Sequence, residues 1–137
     1  MGELSSELEI LTYDKDDASL TYQDRNATIP ESHKTINSGA ANRGTLDGKY
    51  VYSSNRGHDS IAAFKVSDTD QSLSLIEIIP SEGNVPRDFN LTPDNGYVIV
   101  AHQDSDNLTL FTRDDLTGKL TLLQKDVYAP ECVCIKF

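Results

Sequence analysis

Short stretches in which apolar and polar residues alternate recur along the whole chain, and this pattern predicts β-strands. The clearest example is Leu46–Val66, LDGKYVYSSNRGHDSIAAFKV, where a turn, an apolar strand, a polar turn and a second apolar strand follow one another. An offset of 47 residues lays this stretch on Pro93–Arg113, PDNGYVIVAHQDSDNLTLFTR, without a gap. The matching pairs include Asp47 and Asp94, Tyr50 and Tyr97, Val51 and Val98, Asp59 and Asp106, and Phe64 and Phe111. The chain therefore contains an internal repeat.

The repeat has the size of a β-propeller blade. Its register continues into a further strand, since Leu73 falls on Leu120, and an offset of 53 residues places Leu8 on Ile61 near the N-terminus. A period of roughly 40 to 50 residues with about four short strands per unit is typical of such blades. We therefore predict an all-β chain of four-stranded antiparallel blades, with an outer half-blade over 1–25, one blade over 40–78, a second over 87–124 and the inner strand of a closing blade over 131–137.

This arrangement leaves sheet edges unpaired at both ends of the chain. Exposed edges pair with other strands or aggregate, and propellers avoid them by closing a ring of roughly four to eight blades. We therefore expect that the chain is the C-terminal part of a larger propeller, or that it completes its sheets by self-association.

The composition narrows the classes of function. The formal net charge at pH 7 is −10, which argues against nucleic-acid binding because clustered lysines and arginines hold phosphate backbones. No apolar run approaches the roughly 18 residues of a membrane span, and the acidic N-terminus does not have the form of a signal peptide. We expect a soluble, cytoplasmic protein with neither a membrane nor a nucleic acid as partner. Cys132 and Cys134 are expected to be free thiols, because an i, i+2 pair makes an awkward disulfide.

Topology selects residues that meet at one end of the blades. In an up-and-down blade, the turn between the second and third strands lies at the same end as the connection arriving from the previous blade. The turns concerned are Asn55–Asp59 and His102–Asp106, with Glu3–Ser6 in the corresponding place near the N-terminus. The connection Arg25–Ser38 is six residues longer than its counterpart, and long surface connections often act as lids or binding loops. Five side chains are expected to ring the mouth of a central funnel: Glu3, Arg56, His58, Arg87 and Gln103.

These side chains fit hydrolysis of a lactone without a metal or a cofactor. Arg56 and Arg87 can grip a carboxylate or phosphate in bidentate fashion, and they can stabilise the oxyanion that forms when water attacks an ester carbonyl. Histidine has an unperturbed pKa of about 6.5, so His58 suits proton transfer around neutrality. Glu3 can serve as a base, or it can orient a base or a water. We predict a catalytic role for His58, Glu3 and Arg87 and substrate binding by Arg56 and Gln103.

Structural roles compete with these assignments. Arg56 can bridge to Asp59 or to a carboxylate of a neighbouring blade, and His58 can be a solvated loop residue. The other polar side chains near the rim are expected to be structural, exposed or capping their own turn: His33, His102, Asp104 and Asp106. A calcium site at the two aspartates is the minor alternative.

Three motifs, SNRGHDSIAAF, PRDFNLTPDNGYVIVAHQDSDNLTLF and the closing CVCIKF, connect the chain to a known family. It resembles the C-terminal portion of the seven-bladed propeller lactonases over essentially all 137 residues, which implies that it covers roughly three of seven blades. The resemblance also implies that Glu3, Arg56, His58, Arg87 and Gln103 lie at the substrate funnel. The chain departs from the family at His102, where asparagine is usual, and at Ala41–Gly44, where an apolar inner strand is expected.

The family includes cycloisomerase-type 6-phosphogluconolactonases and the 3-carboxy-cis,cis-muconate lactonizing enzyme. The resemblance therefore implies a small anionic lactone, phosphorylated or carboxylated, as the substrate of the complete protein. Water would attack the carbonyl with help from Glu3 or His58. Muconate cycloisomerisation with the same groups is the alternative reaction, and a propeller that binds a ligand or partner without turnover is an alternative of another class. The isolated chain is expected to be inactive unless it assembles with other copies.

Overall fold

The computed structural model describes residues 1–137 and contains ten β-strands in three antiparallel sheets. One sheet has two strands, β1–β2, and the other two have four strands each, in the orders β3–β4–β5–β6 and β7–β8–β9–β10. The strands are β1 Glu7–Tyr13, β2 Leu20–Ala27, β3 Ser38–Gly44, β4 Tyr50–Arg56, β5 Ser60–Val66, β6 Leu73–Pro80, β7 Pro86–Leu91, β8 Tyr97–His102, β9 Asn107–Arg113 and β10 Leu120–Tyr128. The predicted all-β class is confirmed. The structure contains no helix of the length and apolar character that crossing a membrane requires.

The main hydrophobic core lies between the two four-stranded sheets. Side chains alternate across a strand, so every second residue of the central strands enters this core. Its buried members are Tyr50, Tyr52, Ile61, Ala63, Phe89, Leu91, Val98, Val100, Phe111 and Leu120. A smaller cluster, Leu8, Ala62 and Phe64, packs the two-stranded sheet against β5. This face-to-face packing brings the innermost strands β3 and β7 into contact with each other.

The repeat is visible in the backbone at the rim. Ser6, Asp59 and Asp106 occupy equivalent positions in successive sheets, and their φ angles of 56°, 49° and 53° all lie in the left-handed region. Their carbonyl oxygens accept hydrogen bonds of 2.9 Å from the N–H groups of Thr28, Ser81 and Ala129, respectively. The same main-chain link therefore ties each rim turn to the connection that leaves its sheet.

The C-terminal segment Cys132–Phe137, predicted as an inner strand, forms no strand in this structure. It runs beside β7, where the Ile135 N–H donates to Asp88 at 2.8 Å and the Asn90 amide donates to the Ile135 carbonyl at 3.2 Å. A strand requires a backbone ladder with a neighbour, and residues 1–137 supply none for this segment. Its place in a closing blade therefore stays a prediction. Both cysteines are free thiols, as expected.

Candidate anion-binding pocket at the inner strands

An open cavity of about 490 Å³ lies where the inner strands meet the two ends of the chain. Its walls come from the N-terminus, β3, the end of β4, the start of β7 and the C-terminal segment. The lining residues are Met1, Glu3, Gly39, Ala40, Ala41, Asn42, Arg43, Arg56, Arg87, Asp88 and Val133. Three of the five rim residues proposed from the sequence line this cavity together: Glu3, Arg56 and Arg87.

The charged side chains that line the pocket are three arginines and two carboxylates. Arg56 donates to Glu3 at 2.5 Å, and Arg43 donates to Asp88 at 2.8 Å. Arg87 is exposed and forms no ion pair. Within a protein whose net charge is −10, this pocket therefore presents one uncompensated positive charge to an incoming anion.

Irregularities in the two inner strands shape this part of the pocket. The pairing of β7 with β8 shifts register between Pro86 and Asp88, so Arg87 has no ladder partner on β8. The pairing of β3 with β4 shifts in the same region, between Gly39 and Asn42. A β-bulge bends the strand and re-aims the side chain of the extra residue, which accounts for an exposed arginine at the mouth.

Glu3 and Arg56 form a link between neighbouring blades. Arg56 donates to the Glu3 carboxylate and, at 3.1 Å, to the carbonyl of Gly39. The Arg56 side chain is only 17% exposed, whereas that of Glu3 is 63% exposed. Arg56 thus has the bridging role that was the structural alternative, and the bridge leaves the Glu3 carboxylate open to solvent at the pocket. A buried Nε–H of Arg56 has no partner in the structure.

Sequence reasoning did not single out Arg43 and Asp88 as site residues. Asp88 is 7% exposed, and its second oxygen accepts the N–H of Ile135. The signal was the polar stretch Ala41–Gly44 in a strand expected to be apolar. That stretch is polar because it faces the cavity and the carboxylate of the next blade.

His58 lies outside the cavity lining. Its Nδ1 is 2.7 Å from the Ser60 hydroxyl, and its ring packs edge to face against His33 with centroids 4.8 Å apart. Partial burial, followed by the charge of His33, lowers the pKa of His58, while Asp59 opposes the shift. His33 belongs to the connection between the first two sheets, so this connection contacts His58 at the rim. A catalytic role for His58 stays a prediction.

Gln103 also lies outside the cavity lining, although it occupies the position of Glu3 and Arg56 in the next blade. It is exposed, and its backbone N–H donates to the carbonyl of Val85. The structure thus groups Glu3 with Arg56 but does not bring Gln103 to them. Substrate binding by Gln103 stays a prediction.

The remaining polar rim residues have structural surroundings. His102 is fully buried, its Nδ1 lies 3.1 Å from the Asn107 carbonyl, and burial lowers its pKa. Asp106 accepts the N–H of Glu131 at 2.8 Å, which ties its turn to the chain that follows β10. No group of three or more His, Cys, Asp or Glu side chains comes together as a metal site.

Known proteins share this sequence and fold. An uncharacterized protein from Lactococcus lactis subsp. cremoris is 49% identical over 135 residues, 98% of this chain and 40% of the relative. A 6-phosphogluconolactonase from Bacillus subtilis is 40% identical over 137 residues, the whole of this chain and 39% of that protein. A crystal structure of a protein from Lactobacillus plantarum superposes with a TM-score of 0.94 at 45% identity, covering 96% of this chain and 38% of that one.

The chain thus spans about two fifths of the length of the curated relatives it matches. The model of one protein family, described as lactonase, 7-bladed β-propeller, matches residues 1–137. The three antiparallel sheets of this chain follow one another in sequence and are linked at one rim, which is the arrangement expected of consecutive propeller blades. The chain belongs to the seven-bladed β-propeller lactonase family.

Proposed function

We propose that the complete protein hydrolyses an anionic sugar lactone, with 6-phosphogluconolactone as the leading substrate. The observation that carries this proposal is the pocket in which an unpaired Arg87 lies with a solvent-accessible Glu3 carboxylate. The B. subtilis relative named 6-phosphogluconolactonase supports the choice of substrate. The family relationship alone does not define the substrate, because one fold serves several reactions.

In this mechanism Arg87 binds the phosphate or carboxylate of the substrate. A guanidinium presents parallel N–H donors that match two oxygens of such a group, and no carboxylate of the chain competes for them. Binding at Arg87 fixes the lactone ring in the cavity beside Glu3. Holding reactants in one geometry in this way removes much of the entropic barrier to reaction.

Glu3 then positions and deprotonates the attacking water. The water oxygen adds to the lactone carbonyl, the bond between the carbonyl carbon and the ring oxygen breaks, and the proton taken by Glu3 passes to the departing ring oxygen. The Arg56 guanidinium, which already holds Glu3, places positive charge next to the developing oxyanion. His58 takes no part in this scheme, because it lies outside the cavity lining and packs against His33.

Release of acid from 6-phosphogluconolactone by the complete protein tests this proposal. Initial rates above spontaneous hydrolysis are expected for the parent protein. Arg87→Ala is expected to lower kcat/KM by about 100-fold, the effect of losing one charge-assisted contact to the substrate. Arg25→Ala is the matched control, since this arginine lies on the outer half-blade in an exposed ion pair with Glu7. His58→Ala is expected to retain activity.

A panel of lactones separates the alternatives. Turnover of a 3-carboxymuconolactone in preference to the sugar lactones would favour the cycloisomerase-type reaction. Binding of sugar phosphates with no turnover of any lactone would favour a non-catalytic binding module. Equal rates for Arg87→Ala and the parent protein would refute the role of this pocket.

A further inference from the structure

The C-terminal segment is held against β7 by side chains in place of a backbone ladder. The Ile135 N–H donates to Oδ2 of Asp88, and the Ile135 carbonyl accepts from Nδ2 of Asn90. Asp88 and Asn90 are two residues apart on β7, so their side chains leave the same face of the strand. Together they satisfy both backbone polar groups of Ile135, as a neighbouring strand would.

The repeat shows that this contact joins equivalent points of successive blades. With the offset of 47 residues, Ala41, Asp88 and Ile135 occupy one position of the inner strand, and Arg43 and Asn90 occupy another. Arg43 reaches from β3 to Asp88 on β7, and Asp88 reaches on to Ile135. Side chains thus connect three consecutive inner segments in a line around the axis.

Asp88 is the middle member of this line, and like Arg43 it lines the pocket. Its Oδ1 accepts from Arg43 and its Oδ2 from Ile135, both at 2.8 Å. The carboxylate is almost fully buried, so each of these partners offsets the cost of removing its charge from water. Val133, on the segment that Ile135 anchors, forms part of the pocket wall.

We propose that Asp88 and Asn90 form a clasp that docks the C-terminal segment, and that docking of the segment positions the anion pocket. In this view Asp88 is a positioning residue: it acts on the substrate through Arg43 and through the wall that contains Val133. The effect on the pocket rests on the proposed lactonase function, whereas the clasp itself does not.

Substitutions at the two clasp residues test different parts of the proposal. An alanine at position 90 removes the donor to the Ile135 carbonyl and the acceptor of the Leu91 N–H, without changing any residue that lines the pocket. An asparagine at position 88 keeps one acceptor, but its amide N–H₂ then faces either the Arg43 guanidinium or the Ile135 N–H, which are both donors. Asn90→Ala therefore tests the clasp alone, and Asp88→Asn tests the clasp together with the pocket.

Residue-resolved amide hydrogen exchange on the 137-residue chain decides whether the clasp exists. The Ile135 amide is expected to exchange slowly in the parent chain and roughly tenfold or more faster in Asn90→Ala and Asp88→Asn. Amides of the central strand β9 serve as the internal measure of folding, and Gln23→Ala, an exposed amide on β2, is the control. An Ile135 amide that exchanges like an unstructured peptide, or that is unchanged in both variants, would overturn the clasp.

Steady-state kinetics of the complete protein decide whether the clasp positions the pocket. Asn90→Ala is expected to raise KM for the phosphorylated lactone roughly tenfold and to leave kcat within about twofold, with little change in KM for the unphosphorylated lactone. A merely structural role would lower kcat for both substrates alike, and that result would overturn the positioning role. If the parent protein has no lactonase activity but Ile135 responds as expected, the proposed function fails and the clasp stands.

Discussion

The rim turn Asn55–Asp59 and its counterpart in the next blade, His102–Asp106, share part of their backbone geometry but differ in chemistry. Asp59 and Asp106 adopt the same left-handed conformation and make the same main-chain link to the outgoing connection. Each carboxylate also accepts a backbone N–H from the segment leading into the next inner strand, from Val85 in one case and Glu131 in the other. These parts of the turn hold neighbouring blades together.

The first residue of each turn is buried, but its side-chain polar atoms have different hydrogen-bond partners in the two turns. Asn55 donates to the Thr28 carbonyl at 2.8 Å and accepts from the Thr28 hydroxyl at 2.7 Å. The His102 ring makes one hydrogen-bond contact, with the Asn107 carbonyl, and its Nε2 has no partner. The side chains that follow, Arg56 and Gln103, differ again, since one lines the pocket and the other is exposed. A repeated scaffold therefore constrains some positions and leaves others free to carry chemistry.

The largest expected effect is the loss of stability in the Asn55→Ala variant. Asn55→Ala removes several buried hydrogen bonds and leaves the Thr28 carbonyl without a donor, while the Thr28 hydroxyl keeps its bond to the Ser6 carbonyl. We therefore expect a loss of about 3 kcal/mol in the free energy of unfolding. Urea denaturation of the chain measures this loss. Gln103→Ala, on the counterpart turn, is the control and should change stability by less than about 0.5 kcal/mol. Equal losses in the two variants would contradict the difference between the turns.

The next largest effect is expected at Gly57. Its φ is +107°, and an added Cβ would collide with the Ile36 carbonyl, whereas the equivalent Asp104 is not among the residues with positive φ. Gly57→Ala should therefore cost about 2 kcal/mol, and Asp104→Ala should be close to neutral. Thermal or urea unfolding of the two variants checks this pair. A neutral Gly57→Ala would mean that the connection does not pack on this turn as the structure shows.

The smallest expected effect concerns pH and the buried His102. Burial lowers its pKa in the folded chain, so the unfolded chain binds more protons between the folded pKa and the unfolded value of about 6.5. Stability should therefore fall as the pH drops below about 6.5, by up to roughly 1.4 kcal/mol per pH unit for one proton. His102→Asn, which restores the residue type of the neighbouring turn, should reduce this slope. If the pH dependence of stability is the same in His102→Asn and the parent chain, His102 is not its source, and His58 is the remaining histidine with a lowered pKa.

The sequence pattern was sufficient to predict the all-β class and the succession of antiparallel sheets. Alternation and the offsets of 47 and 53 residues indicated an outer half-blade followed by two four-stranded blades, because the same turn residues, such as Asp47 and Asp94, recur at the same points of the two blades. Topology and the arginine and glutamate types then placed Glu3, Arg56 and Arg87 at one pocket. These inferences depend on local patterns that a sequence displays directly.

What could not be predicted depends on contacts between blades. The partner of Asp88 is Arg43, which is 45 residues away, and only the packing of β3 beside β7 brings the two together. The position of His58 depends on His33, which lies in a connection six residues longer than its counterpart in the repeat. Cys132–Phe137 forms no strand because residues 1–137 supply no ladder partner for it, although its own pattern is that of a strand.

The central claim is that Arg87 supplies the free positive charge of an anion pocket shared by successive blades. A crystal structure of the complete protein with 6-phosphogluconate bound tests this claim most directly. We expect a phosphate or carboxylate oxygen about 2.8 Å from a guanidinium nitrogen of Arg87, with Glu3 beside the carbon that was the lactone carbonyl. An anion bound near His33 and His58 with Arg87 in solvent would contradict it.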